Sequence, residues 1–368
     1  MGDLRSRDRM TVLATVARTV LATVAINAVL VALVFGTVNP LGDFWGDIFP
    51  TATPVSRKAK LALFDDWRSH GPVDGVILGA SRNMKLAPEA FTQATGLRYF
   101  NFSLAAATLE DVQVVQQILE EKHIRPREIV LGIDPALLSK VGPAHEALTD
   151  WEFARRIEGA PPSTGWTLRH GAELIRETLT PRFVKAVGTS IMAGVEKKDP
   201  LHHFYADGYV DYRPRDRLIA EGHFPRESLI KSCTKVVMGG FVTDHEFDPG
   251  HLAMLDSILA RAVARGARVT LWLTPDHPDL ANAVAQNPAI DAWNRAVPDT
   301  LRSVAARHGV PFVNLHALES FGGDPDDYYD CAHFGNANAA RITTRLLEAR
   351  GPSPAPSLVS DQGPAHPR

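Results

Sequence analysis

The chain has 368 residues, and its 39 Lys and Arg nearly balance its 42 Asp and Glu, for a formal net charge of −3. That balance argues against a protein that holds nucleic acid by a basic stripe, and 45% apolar residues exclude a disordered chain. Two cysteines exclude a disulfide framework and a four-cysteine zinc site, and 27 Gly and 26 Pro exclude collagen-like and low-complexity sequence.

From Thr19 to Val38 the chain runs for twenty residues without a charged side chain, with Asn27 its one strongly polar residue. A helix of that length covers about 30 Å, the hydrocarbon core of a bilayer. The run is too long for a signal-peptide core and no A-x-A pattern follows it. Arg5, Arg7, Arg9 and Arg18 precede it, and the next basic residue is Arg57. The positive-inside rule therefore predicts residues 1–18 in the cytoplasm, a transmembrane anchor at 19–38, and the rest in the periplasm or outside the cell. The alternatives are a buried core helix or an uncleaved signal.

Residues 39–70 form a linker with Pro40, Pro50 and Pro54 and a short helical pattern around Lys58–Trp67. Apolar runs that fit buried strands follow at Val73–Gly79, Leu97–Phe102, Glu128–Ile133, Ala267–Leu273 and Val310–Leu315. Between them lie helical patterns at Leu109–Lys122, Leu252–Ala264, Ala289–His308 and Ala337–Ala349. Such alternation predicts an α/β domain over 71–350 with a five-stranded parallel sheet covered on both faces, a three-layer α/β/α sandwich. The stretch 139–248 breaks the rhythm and is too long for a plain connection, so a mostly helical cap insertion is expected there. The tail 351–368 carries five prolines and is expected to be disordered.

In an open parallel sheet, sites form beyond the carboxyl ends of the strands. Ser81 follows the first strand, on the turn into the next helix, where backbone N–H groups point outward. Asp330-Cys331-Ala332-His333 follows the fifth strand. His333 is placed to take a proton from Ser81, with Asp330 holding the imidazole, because a serine hydroxyl is a weak nucleophile without a base. Arg82 either binds a carboxylate or phosphate of a substrate or ion-pairs with an Asp. His277, after the fourth strand, is expected to line the same cleft. No His or Cys spacing fits a metal, at His202-His203 or at Asp244-His245, so neither metal nor other cofactor is expected. Cys233 and Cys331 form one disulfide or stay free; the sequence leaves both open.

The blocks Gly79-Ala80-Ser81, Asn101-Phe102-Ser103-Leu104-Ala105-Ala106-Ala107-Thr108, Gly132-Ile133-Asp134-Pro135 and Asp330-x-x-His333 together resemble the SGNH/GDSL hydrolase superfamily. The resemblance covers roughly 70–140 and 265–350 and implies a flavodoxin-like sheet, with Ser81 as nucleophile, His333 as base and Asp330 as its orienter. It also implies an oxyanion hole made by the N–H of Ser81, the N–H of Ala106 and an Asn side chain. Asp134 stands where the family has that Asn, so Asn101 or Asn83 is the expected substitute donor. Asn83 and Asp134 are expected beside substrate with Arg82 and His277.

Membrane-anchored relatives in the superfamily act on acyl groups of cell-surface polysaccharide, peptidoglycan or teichoic acid. The resemblance therefore implies a serine esterase or O-acyltransferase whose partners are an acylated glycan or envelope polymer, the membrane and a membrane-bound acyltransferase, but no nucleic acid. The alternative is a catalytically impaired module that binds glycan or scaffolds a polymer-modifying complex.

Overall fold

A computed structural model of the chain describes residues 56–350 apart from 141–146, 149, 178–179, 197–202 and 244, together with part of the stretch 15–38. The linker residues 39–55, the tail 351–368 and much of the span Thr19–Val38 lie outside the described residues. Among the described residues no helix is long and apolar enough to cross a membrane. The chain forms two compact units, Met1–Ala59 with His145–His203, and Lys60–Ala144 with Phe204–Arg368. The expected insertion 139–248 is thus divided near His203.

The second unit carries the sheet. Helix α1 (Ser56–Ser69) leads to β1 (Gly75–Leu78), which is buried at every residue. A 3-10 turn, Ser81–Lys85, precedes α2 (Pro88–Thr95); this helix starts on proline and stops at Gly96, whose φ of 70° is the left-handed cap that glycine adopts without strain. Strand β2 (Tyr99–Asn101) ends where the Asn101 side chain accepts the Ser103 N–H and turns the chain. Helix α3 (Leu109–Glu121) opens on a capping box between Thr108 and Asp111. Strand β3 (Glu128–Ile133) follows, and it too is buried throughout.

The chain then enters the first unit through α4 (Trp151–Ile157), α5 (Thr164–Glu177) and α6 (Pro181–Val195). Asp150 caps α4 by accepting the N–H groups of Glu152 and Phe153, and Thr180 caps α6 by accepting that of Phe183. Val38 packs on Phe183, Ala186 and Val187, and Trp166 stacks on His170. A short ribbon of β4 (His203–Phe204) and β5 (Val210–Asp211), then α7 (Arg213–Ala220) and α8 (Arg226–Thr243), complete the insertion, which is mostly helical as expected.

Helix α9 (Pro249–Ala264), β6 (Arg268–Leu273), α10 (Pro278–Ala285), α11 (Pro288–Arg307), β7 (Phe312–Asn314) and α12 (Asn336–Arg350) finish the sheet unit. All five expected strands form and pair in parallel, in the order β2-β1-β3-β6-β7. Gly75 lies opposite both Tyr99 and Glu128, which fixes β1 between β2 and β3. Helix α3 packs with α9, and α12 with α2 and β6, an arrangement consistent with the three-layer sandwich. Ile77, Val130, Trp272, Phe334 and Ile342 share one buried cluster. Each such side chain stabilises the fold by about 1.5–3 kcal/mol through burial.

Candidate active site

Ser81 sits at the start of the 3-10 turn beyond β1, and two glycines make room for that turn. A Cβ on Gly132 would lie 1.8 Å from Asn83 Oδ1, and one on Gly79 2.3 Å from Asn83 Nδ2. Asn83 therefore packs closely against Gly79 and Gly132 at the ends of β1 and β3, and it is fully buried. Asn101 locks the turn from below: its side-chain amide donates to the carbonyls of Asn83 and Leu86, each at 2.8 Å.

His333 and Asp330 lie on a loop closed by the antiparallel bridge Tyr328–Phe334 and by the Tyr329 N–H donating to the His333 carbonyl (2.8 Å). Asp330 Oδ1 accepts the N–H groups of Ala332 and His333, both at 2.9 Å. The His333 Nδ1 lies 2.9 Å from each Asp330 oxygen, and its Nε2 lies 2.8 Å from Ser81 Oγ. Burial alone would raise the Asp330 pKa; the His333 imidazole and the two N–H groups outweigh it and hold the carboxyl well below the usual carboxylate range. An ionised carboxylate only accepts, so Nδ1 carries the hydrogen, the arrangement in which Nε2 can accept from the serine hydroxyl. Residues 252 positions apart are thereby joined, and the sequence expectation of Ser81, His333 and Asp330 in one chain of hydrogen bonds is met.

The expected substrate contacts fare differently. Arg82 is buried, with Nη1 2.7 Å from Asp276 Oδ1 and donating to the Pro275 carbonyl (2.7 Å) and to Thr274 Oγ1 (3.1 Å). Its Nε lies 3.7 Å from Asp134 Oδ1, which also accepts from Thr274 Oγ1 at 2.6 Å. Arg82 is thus an internal ion-pair partner, not a substrate ligand, and Asp134 is tied to that network. Burial would lower the Arg82 pKa, but Asp276 and Asp134 outweigh it and raise it above its usual value.

His277 caps α10: its Nδ1 accepts the Asp279 N–H (3.1 Å), and its ring meets Tyr328 edge-on. Burial pushes its pKa below the usual histidine range, which suits this neutral accepting role. Asn83 is sealed beneath the turn rather than beside substrate. Asn101 is corrected too, since its amide is engaged by backbone carbonyls and cannot serve an oxyanion.

Of the expected oxyanion donors, the N–H groups of Ser81 and Ala106 have no hydrogen-bond acceptor among the described residues. Ala106 is exposed and has a φ of 48°, the left-handed region, in a position where the resemblance calls for glycine. Cys233 and Cys331 are disulfide-bonded, which resolves the open alternative.

Sequence reasoning missed the residues that brace this loop. Lys85 is buried with Nζ 5.1–5.6 Å from the ring centroids of Tyr209, Tyr212 and Tyr329, and it pairs with Asp211 at 3.2 Å. Tyr329 OH donates to Asp216, and Arg215 approaches Asp330. Most of these groups come from the insertion, whose sequence has no strand period to place them. No protein-family model matches the chain, and no curated protein matches it by sequence.

Proposed function

We propose that this protein is an extracytoplasmic, membrane-anchored serine esterase or O-acyltransferase of the SGNH/GDSL type, acting on acyl groups of a cell-surface polysaccharide or other envelope polymer. The observation that carries the reading is the unbroken chain from Ser81 Oγ through His333 to Asp330. The resemblance in the four sequence blocks supports the class. The disulfide supports an oxidising compartment, where such bonds persist, and the apolar run 19–38 supports the anchor.

In the proposed reaction His333 Nε2 takes the Ser81 proton as Oγ attacks the ester carbonyl. The N–H groups of Ser81 and Ala106 donate to the oxyanion of the tetrahedral intermediate. His333 then returns the proton to the leaving alcohol, and the acyl group stays on Ser81 as an ester. Water, or a sugar hydroxyl brought to the same base, repeats the sequence in reverse and frees the serine. A membrane-bound acyltransferase is the partner such a transfer would draw acyl groups from.

The second reading is a non-catalytic glycan-binding or scaffolding module. It is favoured by one observation: the family's third oxyanion donor is replaced by Asp134, and the amide of Asn101 is already engaged.

The test uses the full-length protein in detergent with p-nitrophenyl acetate, together with covalent labelling of Ser81 by a fluorophosphonate. Turnover and labelling in the wild type, each lost by several orders of magnitude in Ser81→Ala and His333→Ala, are expected. The double variant should be little worse than either single one. Asp330→Asn should cost a comparable or smaller factor. Labelling without turnover of any small ester points to a transferase with a demanding acceptor. Neither labelling nor turnover favours the second reading.

A further inference from the structure

The carboxylate that orients His333 has a second cation on it. Arg215, on α7, places Nη1 3.9 Å from Asp330 Oδ2, one of the oxygens that His333 Nδ1 approaches at 2.9 Å. The guanidinium lies over two aromatic rings, 5.3 Å from the centre of Tyr212 and 5.6 Å from that of Tyr329. Those tyrosines are themselves buried, so the shelf under Arg215 is rigid. The arginine side chain is 24% exposed, so water screens it only in part.

We propose that Arg215 is a positioning residue of this site: it shares the Asp330 carboxylate with His333, holds that carboxylate at Oδ2, and makes His333 easier to deprotonate. The inference deepens the proposed function and rests on it for its catalytic meaning.

The physical argument is one of competition for a single negative charge. A carboxylate beside an imidazole stabilises the imidazolium and so raises its proton affinity. A cation held on the carboxylate draws part of that field away and also repels the imidazolium directly. At 3.9 Å the attraction does not need hydrogen-bond alignment, because Coulomb energy falls off slowly with distance and angle. Stacking on Tyr212 and Tyr329 removes the side-chain freedom that usually makes such a pair weak.

The surrounding charges leave this arrangement in place. Asp330 also receives the N–H groups of Ala332 and His333, and Ser81 faces the far nitrogen of the ring. Tyr212 feels both Arg215 and Asp330. The hydroxyl of Tyr329 is engaged by Asp216, which shares α7 with Arg215. Lys85 stands over the same two tyrosine rings and is paired with Asp211. The disulfide at Cys331 adds no charge. The consequence is that the insertion enters the triad: a base needed for the chemistry is tuned by a residue from outside the sheet.

The test reads the base directly and does not depend on turnover. The full-length protein is labelled with ¹³C in the histidine rings, the His333 signal is assigned by its loss in His333→Gln, and its titration is followed by NMR in wild type, Arg215→Met, Arg215→Gln and Arg215→Lys. The expected result is a rise in the His333 pKa of about half to one unit in Arg215→Met and Arg215→Gln, with Arg215→Lys restoring most of the wild-type value. Thermal melts identify which variants are folded, and either neutral variant suffices. An unmoved His333 titration in a folded neutral variant overturns the proposal. Fluorophosphonate labelling of Ser81 is run on the same samples. A shifted titration without labelling leaves the role of Arg215 standing and removes the esterase reading. Labelling with an unshifted titration does the reverse.

Discussion

Cys233, half-buried on α8, is bonded to Cys331, the residue that follows Asp330 in the loop holding the proposed base. The bond joins positions 98 apart in sequence, so it removes much of the unfolded chain's freedom. In the chain-entropy account a crosslink of that span stabilises by about 4–5 kcal/mol, and removing a native disulfide costs about 2–5 kcal/mol. The variant Cys233→Ser/Cys331→Ser is therefore expected to lose stability in that range, measured by urea titration. Ser81 labelling should slow as well, because Asp330 and His333 ride on the released loop. Dithiothreitol should reproduce both losses in the wild type and change nothing in the variant. Identical midpoints for the two proteins would show that the loop is held by its other contacts alone.

The network around Arg82 gives a second prediction. Arg82 is 7% exposed and faces Asp276 and Asp134. Removing one member of a buried ion-pair network leaves the others uncompensated, typically at a cost of about 3–5 kcal/mol. Arg82→Ala should therefore lower stability by that order. Asp134→Asn keeps an acceptor for Thr274 and should cost about 1–2 kcal/mol. The labelling rate of folded Asp134→Asn should match the wild type, since the structure ties Asp134 to Thr274 and Arg82. A marked rate increase in Asp134→Asn would instead mean that its charge opposes the oxyanion.

The fold was largely legible in the sequence because buried parallel strands are short apolar runs between helical periods. Glu128–Ile133 is recovered to the residue, since β3 lies at the centre of the sheet and both of its faces must be apolar. The hydrogen-bonded set of Ser81, His333 and Asp330 was legible because each block stands at a strand end, where a parallel sheet concentrates its functional groups. The neighbours were not. Arg82, Asn83 and His277 occupy the same turns as catalytic residues do. What separates them is burial: Asn83 fills the space left by Gly79 and Gly132, and His277 caps a helix. Arg215 and Cys233 come from helices whose placement depends on tertiary packing, and no local pattern carries that.

Ala106 supplies a third prediction. Its φ of 48° places a Cβ-bearing residue in the left-handed region, which costs an L-residue about 1–2 kcal/mol. Glycine avoids that strain but loses more chain entropy on folding, about 0.5–1 kcal/mol. Ala106→Gly should therefore raise stability by up to about 1 kcal/mol, seen as a higher melting temperature. The proposed oxyanion contact uses the N–H, which glycine keeps, so the labelling rate should hold. A drop in stability would show that the Ala106 methyl makes contacts worth more than the strain.

Lys60 yields a prediction in pH. It is fully buried on α1 between Arg57 and Phe64, and its Nζ donates to the carbonyls of Asn101 (2.6 Å) and Gly208. Gly208 allows this approach: its φ is 81°, and a Cβ there would lie 2.2 Å from the Asn101 oxygen. Burial pulls the Lys60 pKa down to about 7, with Asp207 opposing the shift. In the unfolded chain the same amine titrates near 10.5. Between those values the unfolded chain holds a proton that the native protein lacks, so stability from this group rises with pH from about 7 to about 10.5. The slope is at most about 1.4 kcal/mol per pH unit. Below pH 7 both states are protonated and the slope from Lys60 vanishes. Lys60→Met removes the group from both states. Urea midpoints taken from pH 6 to 10 should therefore rise more steeply in the wild type than in Lys60→Met above pH 7, while titrating groups that do not interact with Lys60, Lys85 among them, largely cancel in the difference. The two carbonyls left without a donor should lower the absolute stability of Lys60→Met at high pH, where the wild-type amine is neutral and still donates. Parallel curves across the whole range would mean that Lys60 stays charged in the native protein and that the Asn101 and Gly208 carbonyls, with Asp207, replace its hydration in full.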